Sequence, residues 1–415
     1  MEWIYLFVIK FYGLSIRILA NFNEKAKAWV EGRKGWREKL SSALSNDHRQ
    51  RIWFHCASLG EFEQGRPVLQ QLRAEFPDHC IVLTFFSPSG YLNRKNEPLA
   101  DVVTYLPLDG PVASKSFINL LNPAMVFFVK YEFWYFYGKE LHKRKIPFFC
   151  ISAIFRPSQI YFKPWGSFFL KILKRHTHLF VQDQASLELL YKNSIPGVTV
   201  SGDTRFDRVL ENSARDAAFP ILEAFSGTAS TIVAGSTWPE DESVLAAVLN
   251  KMPGLKLIIA PHEITEKKLH DLEMRFEGRS VRYSALSSAP GDKISVVIID
   301  SIGMLSLLYR FGKYAYVGGG FGSGIHNILE AAVYGKPVFF GPNYKKFREA
   351  RDLKSMGSGI RVKNPSGMID ELKALEVNPG IYQQLCTKNR KYIEDRKGAT
   401  AILMNYLRYN YIAKK

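Results

Sequence analysis

From Arg51 onward the chain alternates short apolar runs with amphipathic stretches, and that alternation restricts it to a small set of folds. IWFHCAS (52–58), CIVLTFF (80–86), DVVTYL (101–106), AMVFFVK (124–130), PFFCIS (147–152), HLFVQ (178–182) and VTVSG (198–202) have the length and apolar density of buried strands. Between most of them lie helical patterns such as FEQGRPVLQQLRAEF. The alternation lapses over 207–229. It restarts with TIVAGS (231–236), LKLIIAP (255–261), SVVIID (295–300), KYAYVGGG (313–320), KPVFFG (336–341) and GIRV (359–362). Two βα series separated in this way predict an α/β protein of two Rossmann-like, doubly wound parallel-sheet domains facing a cleft. The 415 residues suit two cores of ordinary size. The expected division is a helical segment at 1–48 and domains at 49–212 and 213–415, the last with terminal helices after about Pro379.

The first residues, MEWIYLFVIKFYGLSIRILANF, carry Trp3, Tyr5, Leu6, Phe7, Ile9, Phe11 and Leu14, yet Lys10 and Arg17 interrupt the apolar run. A bilayer-spanning helix needs about 20 apolar residues, and this stretch falls short. Lys10, Arg17 and Glu24 recur at seven-residue spacing, with Gly13 and Asn21 nearby on that helical face. The pattern predicts a helix lying in a membrane interface; its plainer alternative is a helix packed on the protein body. Lys25, Lys27, Arg33, Lys34, Arg37 and Lys39 follow, as suits an anionic leaflet. Glu2 replaces a positive n-region and no small-residue cleavage site follows, which argues against a signal peptide.

The net charge of +17 favours an anionic partner. A nucleic acid is disfavoured, because the basic residues are dispersed and no nucleic-acid module is recognisable. Cys56, Cys80, Cys150 and Cys386 show neither C-x-x-C nor zinc spacing and are expected to be buried and reduced.

Ligands of open parallel sheets bind beyond the carboxyl ends of the strands. The first strand leads into Ser58-Leu59-Gly60-Glu61, the second into Ser87-Pro88-Ser89-Gly90 and the fourth into Lys130-Tyr131-Glu132. Glu61 and Glu132 are therefore expected at one edge of one sheet. Glu61 also reads as an ordinary carboxylate favoured by a helix N-terminus. In the second half, Gly318-Gly319-Gly320-Phe321-Gly322-Ser323-Gly324 precedes a helix expected near Ile325-His326-Asn327, with Asn327 and Glu330 three apart on one face. Backbone amides of such a loop suit a phosphate, and Glu330 suits a ribose diol. Neither G-x-G-x-x-G nor a P-loop is satisfied, since Gly335-Lys336 is followed by Pro337. Ser236 and Thr237 end the first strand of this half, where they suit a helix cap or a phosphate; His262 ends the second, where it suits a phosphate, a base or a helix cap.

In order and spacing, HCASLGEFEQGRPVLQQL (55–72), LTFFSPSGY (83–91), YLPLDGP (105–111), VKYEFW (129–134), VQDQASLELL (181–190), VSGDTRFDRV (200–209), VAGSTWPEDESVL (233–245) and GGGFGSGIHNILEAAVYGKPVFFGPNYKKFREA (318–350) resemble the Kdo (3-deoxy-D-manno-octulosonic acid) transferase family. The resemblance implies a GT-B fold and an inverting, metal-independent transfer of Kdo from CMP-Kdo to lipid A precursor, with no cofactor. It implies work at the cytoplasmic face of the inner membrane. It assigns the general base to Glu61 and a second acidic role to Glu132. The acceptor falls to the first half (Ser58, Gly60, Ser87, Ser89, Gly90). The donor falls to the second (Ser236, Thr237, His262, Gly319, Gly320, Gly322, Ser323, Gly324, Asn327, Glu330).

Two departures stand out. Pro261-His262-Glu263-Ile264 lacks the arginine common in the family, for which Lys267 or Lys268 is a substitute, and Lys130-Tyr131 replaces small polar or acidic residues. The alternative is another GT-B glycosyltransferase or a nucleotide-sugar epimerase. A helix N-terminus is expected to lower the Glu61 pKa and weaken it as a base, unless bound lipid desolvates it.

Overall fold

The computed structural model describes residues 1–412 and resolves two compact units, Met1–Arg208 with Lys397 onward, and Val209–Arg396. In the first unit, β1 (Arg51–Cys56), β2 (Cys80–Phe85), β3 (Val102–Tyr105), β4 (Pro123–Val129), β5 (Phe148–Ala153), β6 (His178–Val181) and β7 (Val198–Val200) form one sheet. Its order is β3-β2-β1-β4-β5-β6-β7, and its pairings are parallel. Strand order reverses between β1 and β4, so a crevice opens there beyond their carboxyl ends.

The second sheet comprises β8 (Thr231–Thr237), β9 (Lys256–Pro261), β10 (Ser280–Arg282), β11 (Val296–Ile298), β12 (Tyr314–Val317), β13 (Val338–Phe340) and β14 (Gly359–Arg361). Its order is β10-β11-β9-β8-β12-β13-β14, with the reversal between β8 and β12. The two doubly wound α/β sheets match the sequence expectation. The edge strand β10 does not, because SVR is too short and too polar to register as an apolar run.

The expected division of the chain needs correction at its end. The helix Ala399–Leu407 belongs to the first unit, not to the second domain drawn at 213–415. Leu403, Met404 and Leu407 enter the core formed by Ile52, Phe54 and Phe127. Asp207 fixes the start of this helix by accepting from Gly398 N (2.6 Å) and Thr400 N (2.7 Å).

Helices α1 (Glu2–Leu19), α2 (Glu24–Arg33) and α3 (Trp36–Leu44) precede the first sheet. Asn23 caps α2, its side chain accepting from Lys25 N and Ala26 N. One side of α1 is held to the body: Tyr5 Oη donates to Asp109 Oδ2 (2.7 Å) and Tyr135 Oη to Glu2 Oε2 (2.8 Å). Gly13 sits on that inner side, where a Cβ would come within 2.7 Å of Leu108, and not on the solvent face with Lys10. The opposite side leaves Trp3, Phe7, Phe11, Leu14 and Ile18 in solvent, Trp3 at 83% and Phe7 at 70% exposure. The helix is thus packed along one flank and apolar along the other. Among the described residues no helix is long and apolar enough to cross a membrane. All four cysteines are buried and free.

Candidate active site

At the first crevice, β1 passes through Ala57 into α4 (Leu59–Glu75), with Ser58 as N-cap. Ser58 Oγ accepts from Glu61 N (3.4 Å), while Glu61 Oε2 turns back to accept Ala57 N–H at 2.6 Å. The Ser-x-x-Glu spacing therefore does form a cap, as the plainer reading of Glu61 has it. Its electrostatics, however, oppose the expectation of a lowered pKa. Burial first, and the negative charge of Glu132 second, raise the Glu61 pKa to about 8 against the pull of Ala57 N–H and Lys130. A helix N-terminus favours the anion by well under the cost of partly burying it next to another carboxylate.

Glu132 follows β4 on a backbone turned by Lys130, whose φ is +66°. Its Oε2 accepts from Trp134 Nε1 (2.7 Å) and faces His55 Nε2 (3.4 Å). The other ring nitrogen of His55 meets Thr84 Oγ1 at 2.8 Å, and Thr84 Oγ1 in turn accepts from Trp53 Nε1 at 2.8 Å. With the Thr84 hydroxyl donating to His55 Nδ1, His55 Nε2 carries the hydrogen and donates to Glu132; the Thr84 carbonyl, 3.1 Å from Nδ1, suits the opposite tautomer. Sequence reasoning passed over His55. Its signal was present: a polar residue in the middle of the apolar run IWFHCAS, fully buried in the structure.

Ser87 caps the helix Pro88–Arg94, its Oγ accepting from Gly90 N (3.4 Å) and lying 2.9 Å from Ser89 Oγ. The glycines at this edge differ in kind. Gly90 is packed against the Phe85 ring, whereas a Cβ on Gly60 would meet nothing nearer than Ser58 Oγ at 4.0 Å. No packing among the described residues demands glycine at position 60.

At the second crevice the loops after β8 and β12 are joined by a residue the sequence reading did not single out. Asp241 is fully buried and accepts from Tyr316 Oη (2.7 Å), Gly319 N (2.8 Å) and Trp238 N (3.0 Å). Burial raises its pKa despite those three donors. Gly319 N–H is thereby committed inside the chain, as is the buried Thr237 hydroxyl, which donates to Glu242 Oε1 (3.3 Å). Gly320 packs on the Gly341 backbone and Gly324 on the Phe347 ring. Gly322 and Ser323 are exposed. Among the described residues, the amides of Gly320, Phe321 and Ser323 have no intrachain acceptor. Ser236 adopts φ +54° beside Gly318, whose N–H bonds the Gly235 carbonyl.

The donor-side helix is shorter than expected. It spans Leu329–Ala332, with residues 325–327 outside any helix and Ile328 as its N-cap, and a single turn carries little dipole. Asn327 and Glu330 are nevertheless brought together, Asn327 Nδ2 donating to Glu330 Oε1 at 2.9 Å. His262 does not cap the next helix; Thr265 does. The His262 ring instead stacks between Trp238 (4.8 Å) and His326 (4.4 Å), and Trp238 Nε1 donates to His326 Nε2 (3.2 Å). Burial, then the neighbouring His262, lowers the His326 pKa to about 4, so this ring is neutral. Lys268, one of the two lysines expected in place of the missing arginine, lies near enough for its charge to act on Glu242. Among the described residues no cluster of three or more His, Cys, Asp or Glu is arranged to hold a metal.

Two Rossmann-like sheets, each with its candidate loops at the switch point, define an α/β protein of the GT-B type. The UDP-GlcNAc 2-epimerase of Neisseria meningitidis has a similar fold, with a TM-score of 0.62 over 87% of this chain and 100% of its own at 17% identity. In sequence, the 3-deoxy-D-manno-octulosonic acid transferase of Aquifex aeolicus is 30% identical over 336 residues, 78% of this chain and 85% of its own length. That of Chlamydophila psittaci is 28% identical, covering 74% of this chain and 73% of its own. The family described as 3-deoxy-D-manno-octulosonic-acid transferase (kdotransferase) matches residues 34–208. The chain belongs to the Kdo transferase family and is a glycosyltransferase.

Proposed function

We propose that this enzyme transfers Kdo from CMP-Kdo to lipid A precursor (lipid IVA), with inversion and without a metal or other cofactor, at the cytoplasmic face of the inner membrane. The observation that carries the reading is Glu61, held at the carboxyl edge of β1 with its pKa raised to about 8. A group with that proton affinity is poised to take a hydroxyl proton near neutral pH. Glu61 removes the proton as the acceptor oxygen attacks the anomeric carbon of Kdo on the face opposite CMP. The C–O bond to the phosphate breaks, and the leaving phosphate takes the electron pair. The amides of Gly320, Phe321 and Ser323 supply donors for that charge. Asn327 and Glu330 suit the ribose, and the exposed apolar side of α1 suits an anionic membrane surface carrying the acceptor.

The test is transfer of labelled Kdo from CMP-Kdo to lipid A precursor in detergent with EDTA present. Product heavier by one or more Kdo units is expected. Intact acceptor, alongside binding or epimerisation of a different sugar nucleotide, would overturn the reading.

A further inference from the structure

A cavity of about 480 Å³ lies between the N-terminal helices and residues 107–113. Val30, Trp36 and Leu108 give it an apolar wall, and Arg17, Arg33 and Lys34 give it three cations. Lys34 is paired with Glu31 at 2.6 Å. Arg33 is different. Its guanidinium sits 3.8 Å from the Trp29 ring centre and 4.9 Å from those of Phe86 and Tyr105. It donates to three backbone carbonyls, those of Leu106, Trp29 and Phe86, and no carboxylate is among the groups acting on its charge. Burial lowers its pKa to about 9. A cation withdrawn from water without a counter-charge is costly unless an anion completes the site.

A second, independent observation lies in the same wall. Trp29 is 7% exposed, and its indole N–H has no hydrogen-bond partner among the described residues. Buried donors are almost always paired, and this unpaired one belongs to a residue of the cavity wall. An acceptor with negative charge satisfies the indole and the guanidinium together.

We infer that this cavity binds an anionic phospholipid of the membrane, its headgroup phosphate near Arg33, Arg17 and Trp29 and the start of one acyl chain along the apolar wall. Arg17 belongs to α1, whose outward side carries Phe7, Phe11 and Ile18. A helix lying with that side in the acyl region holds its flanking cations at headgroup depth. The volume is of a size that takes one headgroup with part of a chain. Arg33 also links it to the catalytic loops: its Nη2 bonds the Phe86 carbonyl, and the Phe86 ring lies 4.9 Å from that of Trp134, the donor to Glu132.

The inference rests on α1 facing a membrane but not on Kdo transfer, and a binding test without turnover keeps the two apart. The full chain is titrated calorimetrically with monomeric dihexanoyl phosphatidylglycerol, dihexanoyl phosphatidylcholine and inorganic phosphate. The expected result is one saturable site for phosphatidylglycerol, weakened about tenfold in R17Q and in W29F, as for loss of a charge-assisted hydrogen bond. Arg17 is exposed, so R17Q retains the fold if W29F, which puts a smaller ring in a buried place, does not. Equal affinity for the two lipids, or binding indifferent to both substitutions, overturns the inference. So does saturation by inorganic phosphate as tightly as by lipid. Displacement of the lipid by lipid A precursor, with the same loss in both variants, makes the cavity an acceptor subsite and overturns it too.

Discussion

Glu61 folds back onto the strand that delivers it, its Oε2 accepting the Ala57 N–H at 2.6 Å, and so remains capped while next to Glu132. Replacing Glu61 by Gln keeps the shape and removes the base. Transfer should fall by about 10²–10⁴-fold with CMP-Kdo affinity nearly unchanged. Single-turnover transfer and equilibrium donor binding separate the two effects, and retained transfer would eliminate Glu61 as the base.

The pH dependence follows from the same pair. A base must be ionised to act, so kcat/KM should rise with pH and level off above about 8. Glu132→Gln removes the repelling charge and should move that limb to lower pH; Lys130→Met removes an opposing cation and should move it higher. Stability runs the other way. Because the folded pKa of Glu61 lies above the unfolded value, its neutral form stabilises below pH 4.5, and that contribution is lost as pH rises through about 8. E61Q should therefore gain stability relative to the parent between those limits, which melting temperatures at pH 5 and pH 9 would reveal.

Position 60 separates packing from function. An added methyl meets no atom nearer than 4.0 Å, and alanine favours a helix over glycine by about 0.5–1 kcal/mol. Gly60→Ala should hold or raise the melting temperature while raising KM for the acceptor. An unchanged KM would mean that no ligand approaches there.

Asp241→Ala leaves Tyr316 Oη, Gly319 N and Trp238 N without their acceptor. A loss of roughly 3 kcal/mol or more is expected from these buried donors. Donor affinity should fall with it, since the glycine loop loses its tie to the start of the helix after β8. Thermal unfolding with and without CMP tests both.

The outer side of α1 should govern adsorption to lipid. Phe7→Ser with Phe11→Ser removes two exposed rings, each worth roughly 1.5–3 kcal/mol of apolar transfer, while leaving the Tyr5–Asp109 bond in place. Flotation with anionic vesicles should show a large loss of binding at an unchanged melting temperature.

Period and apolar density made most of the strands legible, because a strand buried on both faces has to be a dense apolar run. The same logic hid β10, whose Ser280 and Arg282 are polar, and it placed the donor-side helix at 325 when the chain turns helical only at Leu329. The site was legible as a set of loops, since strand ends are visible in sequence. What was hidden depends on residues far apart in the chain. Glu132 acts on Glu61 across the β1–β4 switch, and Asp241 reaches Gly319 across the β8–β12 switch. Reasoning on α4 alone saw neither the burial of Glu61 nor the charge of Glu132, and so gave the direction of its shift with the wrong sign.

The helix Ala399–Leu407 closes the core of a sheet whose last strand, β7, ends at Val200. On the ribosome, all of Val209–Arg396 is made before that cover exists. The first unit thus emerges early with one face of its sheet incompletely covered and with the apolar flank of α1 already in the open. Nascent chains in that state are exposed to aggregation, and a membrane or a chaperone that occupies α1 during synthesis would protect them.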